Sequence, residues 1–137
     1  MTALSADFNR EEKEGKLLAM PVEAAAVVYK NALLMINPDG YVQPAAALLN
    51  ATYAGMAYEA ADNSAGANGD VVVRIERLNA IVIEGSGFVA GDLGKSAYAS
   101  DDNTVSTTQA TNEVLVGIVV EVISATKVLV KQDTSVA

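Results

Sequence analysis

Between Val71 and Ile83 the chain reads VVVRIERLNAIVI, and its first half alternates. Val71, Val73 and Ile75 fall on one face, Arg74 and Glu76 on the other. Period two sends successive side chains to opposite sides of an extended backbone, so this is a half-buried β-strand and not an amphipathic helix. Asn79-Ala80 turns the chain into a second strand, Ile81-Val82-Ile83, which Glu84-Gly85-Ser86-Gly87 ends. The residues just before are of the opposite kind. Asp62-Asn63-Ser64 and Gly66 to Asp70 tolerate left-handed backbone angles or bond to their own backbone, and they predict a loop.

The same grammar recurs along the chain. EVLVGIVVEVISATKVLVKQ reads as two strands joined at Ser124-Ala125-Thr126, with Gly117 marking a bulge or a close backbone approach. Short strands surround Ala97 to Ala99 and Thr104 to Ser106, with Asp101-Asp102-Asn103 as the turn between them. NPDG, from Asn37 to Gly40, is a turn, after which Tyr41 and Val42 restart an extended segment. Val27, Val28 and Tyr29 favour strand. Short strands with turns about every 8 to 12 residues predict an all-β fold, a compact single domain like a β-barrel or sandwich. At most one or two short helices fit. Ala45 to Asn50 is the best place for one in the body, and Glu23 to Ala26 could form a helical turn before Pro21 and the valines limit it.

The chain has 137 residues, which suits one domain. Residues 1–15 are mostly polar and mixed in charge, and read as a flexible N-terminal arm; a short helix capped by Ser5 or Asp7 is compatible with them. Residues 16–132 form the β-rich body, and 133–137 a polar tail. Hydrophobic residues make up 51% of the chain but aromatic ones only 5%, so the core is expected to be built from Val, Ile, Leu and Ala.

Chemistry is constrained by what is missing. Without Cys there is no disulfide, thiol chemistry or thiolate metal site. Without His, a Ser nucleophile lacks its usual activating base. The net charge of -8 argues against sequence-independent nucleic-acid binding and against anionic membrane surfaces. The start of the chain lacks the basic-then-apolar pattern of a secretory signal, and no apolar run approaches the ~20 residues of a membrane span. Asn50-Ala51-Thr52 is a sequon by chance in that context.

Three constellations fall to ordinary readings. Asp62, Asn63, Ser64, Asn68 and Asp70 carry oxygen ligands, but the calcium-loop spacing and its closing Glu are absent, so a solvated loop is expected. Asp101 and Asp102 are adjacent and would point to opposite faces of a strand, which makes them turn formers. GSGFVAGDLGK ends like a phosphate-binding loop, yet no Gly lies five residues before Gly94. No catalytic residue, metal ligand or cofactor is expected.

An ordered set of short motifs remains. Val28-Tyr29-Lys30 is followed by Ala32-Leu33, then Asp39-Gly40-Tyr41. Gly55, Ala57 and Glu59 lead into Ala61-Asp62-Asn63-Ser64-Ala65-Gly66 and Gly69-Asp70-Val71. Later come Asp92-Leu93-Gly94-Lys95, Ala97-Tyr98, Asp101-Asp102-Asn103-Thr104-Val105 and Gly117-Ile118-Val119 with Val122. From Pro21 to Val130 this order resembles the capsid cement, or head-decoration, proteins of tailed bacteriophages. Asn31 stands where that pattern expects Gly, and Asn tolerates the same backbone region. The Leu78 to Ile83 segment departs from it, and the arm lies outside it.

The resemblance implies a non-enzymatic virion component on the outer surface of the capsid. It would bind the expanded head, bridge subunits of the major capsid protein and associate as a homotrimer. The arm, at Leu4, Phe8, Arg10 and Lys13, is expected to contact the capsid or a neighbouring copy. Another structural virion part, such as a head fibre base or tail component, is the alternative. A carbohydrate-binding module ranks lower, because the chain has no Trp and few aromatics to stack on sugars.

Overall fold

The computed structural model describes residues 6, 17–77 and 79–132. The arm residues Leu4, Phe8, Arg10 and Lys13, and the tail 133–137, lie outside the described residues. In chain order the strands are β1 Leu17–Pro21, β2 Val27–Val28, β3 Leu33–Ile36, β4 Val42–Pro44, β5 Thr52–Ala57, β6 Ala61–Asp62, β7 Val72–Glu76, β8 Ala80–Glu84, β9 Ser96–Ala99, β10 Val105–Ser106, β11 Leu115–Ser124 and β12 Lys127–Gln132. The fold is all-β, as the alternation and the turn spacing predict.

Two five-stranded antiparallel sheets carry the structure. The first has the order β1-β7-β5-β3-β4, the second β10-β9-β11-β12-β8, and β2 pairs with β6 in a small third ladder. The first sheet curls. Val22, directly after β1, bridges Val42 of β4, and the Glu23 N–H donates to the Val42 carbonyl at 2.9 Å. The two ends of the sheet therefore meet around an aliphatic core of Val22, Val28, Leu34, Val42, Val73 and Ile75.

A second core lies between the curled sheet and the second sheet. Met35, Tyr53, Val116, Val119, Val128 and Val130 are among its members. The strands β3 and β5 serve both. Leu33 and Met35 face the second sheet, whereas Leu34 faces the curled core. Likewise Tyr53 points one way and Ala54 the other. Alternation of side chains along each strand makes this double duty possible, and a bulge shifts its phase on β5. Leu34 pairs with Gly55 but the next residue, Met35, pairs with Tyr53, so Ala54 is the extra residue on β5. An inserted residue bends its strand and increases local twist.

Most expected turns are present, and their side chains explain them. In NPDG, Asn37 Oδ1 accepts from the N–H groups of Asp39 and Tyr41, each at 3.0 Å. Ser124 pairs with Lys127 across a compact hairpin. Gly117 sits at a register shift between β11 and β9, the bulge that its position suggested. Asn31 has φ +69°, so it takes the left-handed conformation expected where Gly would be usual.

Two helical expectations fail. Ala45 to Asn50 is an irregular segment ending in a turn, because its backbone donors are claimed from outside. Ala45 N–H donates to the Leu33 carbonyl and Leu48 N–H to the Asn112 carbonyl, and Asn50 has φ +63°. Glu23 to Ala26 is a tight turn in which Ala26 N–H donates to the Glu23 carbonyl, with Ala25 at φ +63°. The lone helical element among the described residues is a 3₁₀ turn, Ala90–Asp92.

Candidate functional site

The acidic positions are used up by their own loops. Asp62 Oδ1 accepts from the Ser64 N–H at 2.9 Å, and hydrogen bonds from Ser64 hold its carboxyl below the usual range. Asp70 Oδ2 accepts from the Ala67 N–H at 2.8 Å. Asp101 Oδ1 accepts from both Asn103 and Thr104 N–H groups at 2.8 Å, the turn-forming role expected of it. No group of three or more metal-ligating side chains occurs among the described residues.

Asn63 departs from the solvated-loop expectation. It is buried, and its Nδ2 donates toward the carbonyls of Val22, Glu23 and Ala67 at 3.2, 2.9 and 2.9 Å. It thereby fastens the loop before β7 to the closure of the curled sheet. Its Oδ1 lies where a Cβ at residue 66 would collide with it, which restricts that position to glycine.

The GSGFVAGDLGK stretch is also structural. Asp92 is buried, its Oδ2 accepts from the Val89 N–H at 3.0 Å, and its Oδ1 accepts from Lys95 Nζ at 3.1 Å. The Val89 bond and then Lys95 hold this carboxyl below the usual carboxylate range. In the inter-sheet core, Tyr53 donates to Gln132 Oε1 at 2.6 Å, and Gln132 Nε2 donates to the Asn79 carbonyl at 3.0 Å. Burial raises the Tyr53 phenol well above its ordinary value, with Arg77 opposing, so it stays protonated.

The open surface lies elsewhere, along the Ala80 to Val82 part of the β8 edge, short of the point where Glu84 bridges Thr104. A cleft of about 450 Å³ separates β8 from the curled sheet. Leu33, Met56, Ile81 and Ile83 give it apolar walls; Asn31, Glu84, Asp102 and Asn103 give it polar ones. A shallower depression of about 240 Å³ adjoins it, lined by Tyr29 and Lys30 and sharing Asn31, Asp102 and Asn103. Tyr29 is exposed.

The backbone of β8 explains why this edge is available. β8 pairs with β12, Val82 opposite Leu129 and Glu84 opposite Lys127, and Gly85 N–H donates to the Thr126 carbonyl at 3.0 Å. Antiparallel ladders alternate, so Ile83 and Ile81 also bond toward β12, while Val82 and Ala80 turn their N–H and C=O groups outward. Glu84, at the far end, makes an isolated bridge to Thr104. Beside this edge, the outer face of the second sheet carries half-buried Tyr98, Leu115, Ile118 and Leu129 and exposed Val82. Leu115 lies opposite Tyr98 and Leu129 opposite Val82, two apolar cross-strand pairs separated by the row of Ser96, Ile118 and Lys131.

Sequence reasoning marked the Ile81 to Ile83 strand but not the cleft, whose walls come from residues 31 to 103. Comparison with protein families, with characterised proteins and with solved structures found no match to this chain.

Proposed function

We propose that this protein is a non-enzymatic structural subunit that decorates the outer surface of a tailed-bacteriophage head and clamps neighbouring copies of the major capsid protein. The observation that carries the reading is the pairing of a doubly cored β body with a strand edge left open at Ala80 and Val82, beside the apolar Val82–Leu129 pair. β3 and β5 are buried on both sides, so the body resists deformation, while Ala80 and Val82 offer backbone groups to another chain. Exposed strand edges are ready templates for pairing with other polypeptides.

The resemblance in motif order adds support. Its loops, around Asp62 to Asp70 and Asp101 to Thr104, are here the turns that close the two halves of the body. In this role each copy touches more than one capsid subunit, and the first contact raises the effective concentration for the next. Self-association as a homotrimer would draw on the apolar pairs of the second sheet's outer face.

The test is co-sedimentation of purified protein with expanded heads and, in parallel, with unexpanded precursors. Saturable binding to expanded heads alone is the expected result. Binding to neither form would overturn the decoration role, and localisation of the protein to a fibre base or tail would favour the alternative virion part.

A further inference from the structure

We propose that Asn68-Gly69 is a self-modification site: a latch that joins the two ends of the curled sheet, and that deamidation, a reaction with water alone, opens irreversibly. The proposal goes beyond the decoration role and does not depend on it. It stands on the loop between β6 and β7 and on the segment which that loop grips.

In an asparagine-glycine pair the following backbone nitrogen reaches the side-chain carbonyl carbon easily, because glycine has no Cβ in the way. The chain holds one such pair. Backbone geometry calls for the glycine, whose φ is +81°, in the left-handed region. Asn68 is exposed, so water reaches it. Both reacting groups are nonetheless tied down. Asn68 Oδ1 accepts from the Ala24 N–H at 2.7 Å, and the Gly69 N–H donates to the Val22 carbonyl at 2.9 Å. These partners belong to the seam of the sheet. Val22 bridges Val42 of β4, and the Glu23 N–H donates to the Val42 carbonyl. Asn63 Nδ2, from the same loop, donates to the carbonyls of Val22 and Glu23. The bonds that hold the loop on the seam are therefore also the bonds that keep the Gly69 nitrogen from Asn68 Cγ.

When the loop opens, the Gly69 N–H gives its proton to hydroxide and the nitrogen attacks Asn68 Cγ. The N–Cγ bond forms, the Cγ–Nδ2 bond breaks, and Nδ2 leaves as ammonia with a proton taken from water. Water then opens the resulting succinimide. Attack at the Cγ carbonyl gives aspartate at position 68; attack at the main-chain carbonyl gives isoaspartate. Aspartate keeps the original backbone and an acceptor for the Ala24 N–H. Isoaspartate routes the main chain through Cβ and Cγ, which lengthens it by one atom, so the Gly69 N–H no longer meets the Val22 carbonyl. The isoaspartate product cannot re-form the latch, and opening becomes one-way.

Full-length protein and a peptide of residues 60–72 would be held in the same mildly alkaline buffer, with amide-to-acid conversion at Asn68 followed by peptide mapping and mass spectrometry. Reaction from the open form scales with its population, so the folded protein should convert at least about tenfold more slowly than the peptide. Ala24→Pro then tests the latch itself. Ala24 is the second residue of the turn that Ala26 N–H closes on the Glu23 carbonyl, and Ala25 follows at φ +63°, a geometry in which proline suits that second position. The substitution removes the N–H that Asn68 Oδ1 accepts. It should raise the conversion rate about fivefold, the worth of one hydrogen bond, with circular dichroism unchanged. In aged protein, the isoaspartate form should lose amide-exchange protection at the Glu23 N–H, whereas Asn68→Asp should keep it. Three results would overturn the proposal: protection of Asn68 in the parent protein smaller than that tenfold, no acceleration in Ala24→Pro, or Glu23 protection retained in the isoaspartate form.

Discussion

β7 and β8 lie three residues apart in the chain, are five residues long and are rich in Val and Ile, yet they meet opposite fates. β7 is an inner strand of the first sheet, held by β1 on one side and β5 on the other. β8 is the last strand of the second sheet, paired along its length with β12 and met on its other side by an isolated bridge from Glu84 to Thr104. Both have one buried face: Val73 and Ile75 in the first case, Ile83 in the second. The difference lies in lateral neighbours, and it converts the same kind of sequence into scaffold in one place and into available surface in the other.

The contrast can be broken most severely at Gly55. Its φ is +142°, and a Cβ there would collide with the Ile75 side chain and the Glu76 carbonyl of β7. Gly55→Ala should cost at least about 4 kcal/mol, because it combines overpacking with backbone strain where β5 meets β7. Urea denaturation would measure it, and a loss below about 1 kcal/mol would mean that the two strands separate easily.

A matched pair of truncations sharpens the comparison. Ile75 is fully buried and Val82 is 57% exposed. Ile75→Ala should cost about 3–4 kcal/mol and Val82→Ala about 0.5 kcal/mol or less. Similar losses from both would show that the outer face of β8 is covered in solution. The loops leading into the strands differ in the same sense. Asn63 bonds three carbonyls before β7, so Asn63→Ala should cost about 2–3 kcal/mol by leaving those acceptors unpaired.

The smallest effect concerns pH and belongs to the second-sheet half. The Asp92 carboxyl is held below its ordinary range by Val89 and Lys95, so its contribution is fully present above about pH 4 and is lost as pH falls through the depressed value. Asp92→Asn should therefore melt below the parent at pH 6, with the gap narrowing as the pH drops below about 4. Thermal melts across that range check the sign. Amide exchange in β7 should be unaffected, since Asp92 packs near β11 through the Gly94 N–H bond to the Val119 carbonyl.

Strand faces were legible because burial of one face imposes period two locally. Val73 and Ile75 could be assigned to one inward face from alternation alone. Turns such as NPDG and DDNT were legible for a related reason: their side chains bond backbone groups two to four residues away, within the reach of a sequence motif. The Ala45 to Asn50 expectation failed because helix propensity is weak beside the tertiary hydrogen bonds that Ala45 and Leu48 N–H groups donate to the Leu33 and Asn112 carbonyls. Asn63 was misread for the same reason, since nothing local distinguishes a buried loop amide from a solvated one.

Residue order alone was enough to make this chain all-β, to place most of its strands and turns, and to close His and Cys chemistry to it. Long-range pairing and packing were needed to enclose β7 and leave β8 at the sheet margin, to bury β3 and β5 on both faces, and to bring Leu33, Met56, Ile81 and Asp102 around one cleft. The physical reason is range. Alternation and turn chemistry act over a few residues, whereas strand neighbours and clefts are fixed by hydrogen bonds and packing between residues tens of positions apart.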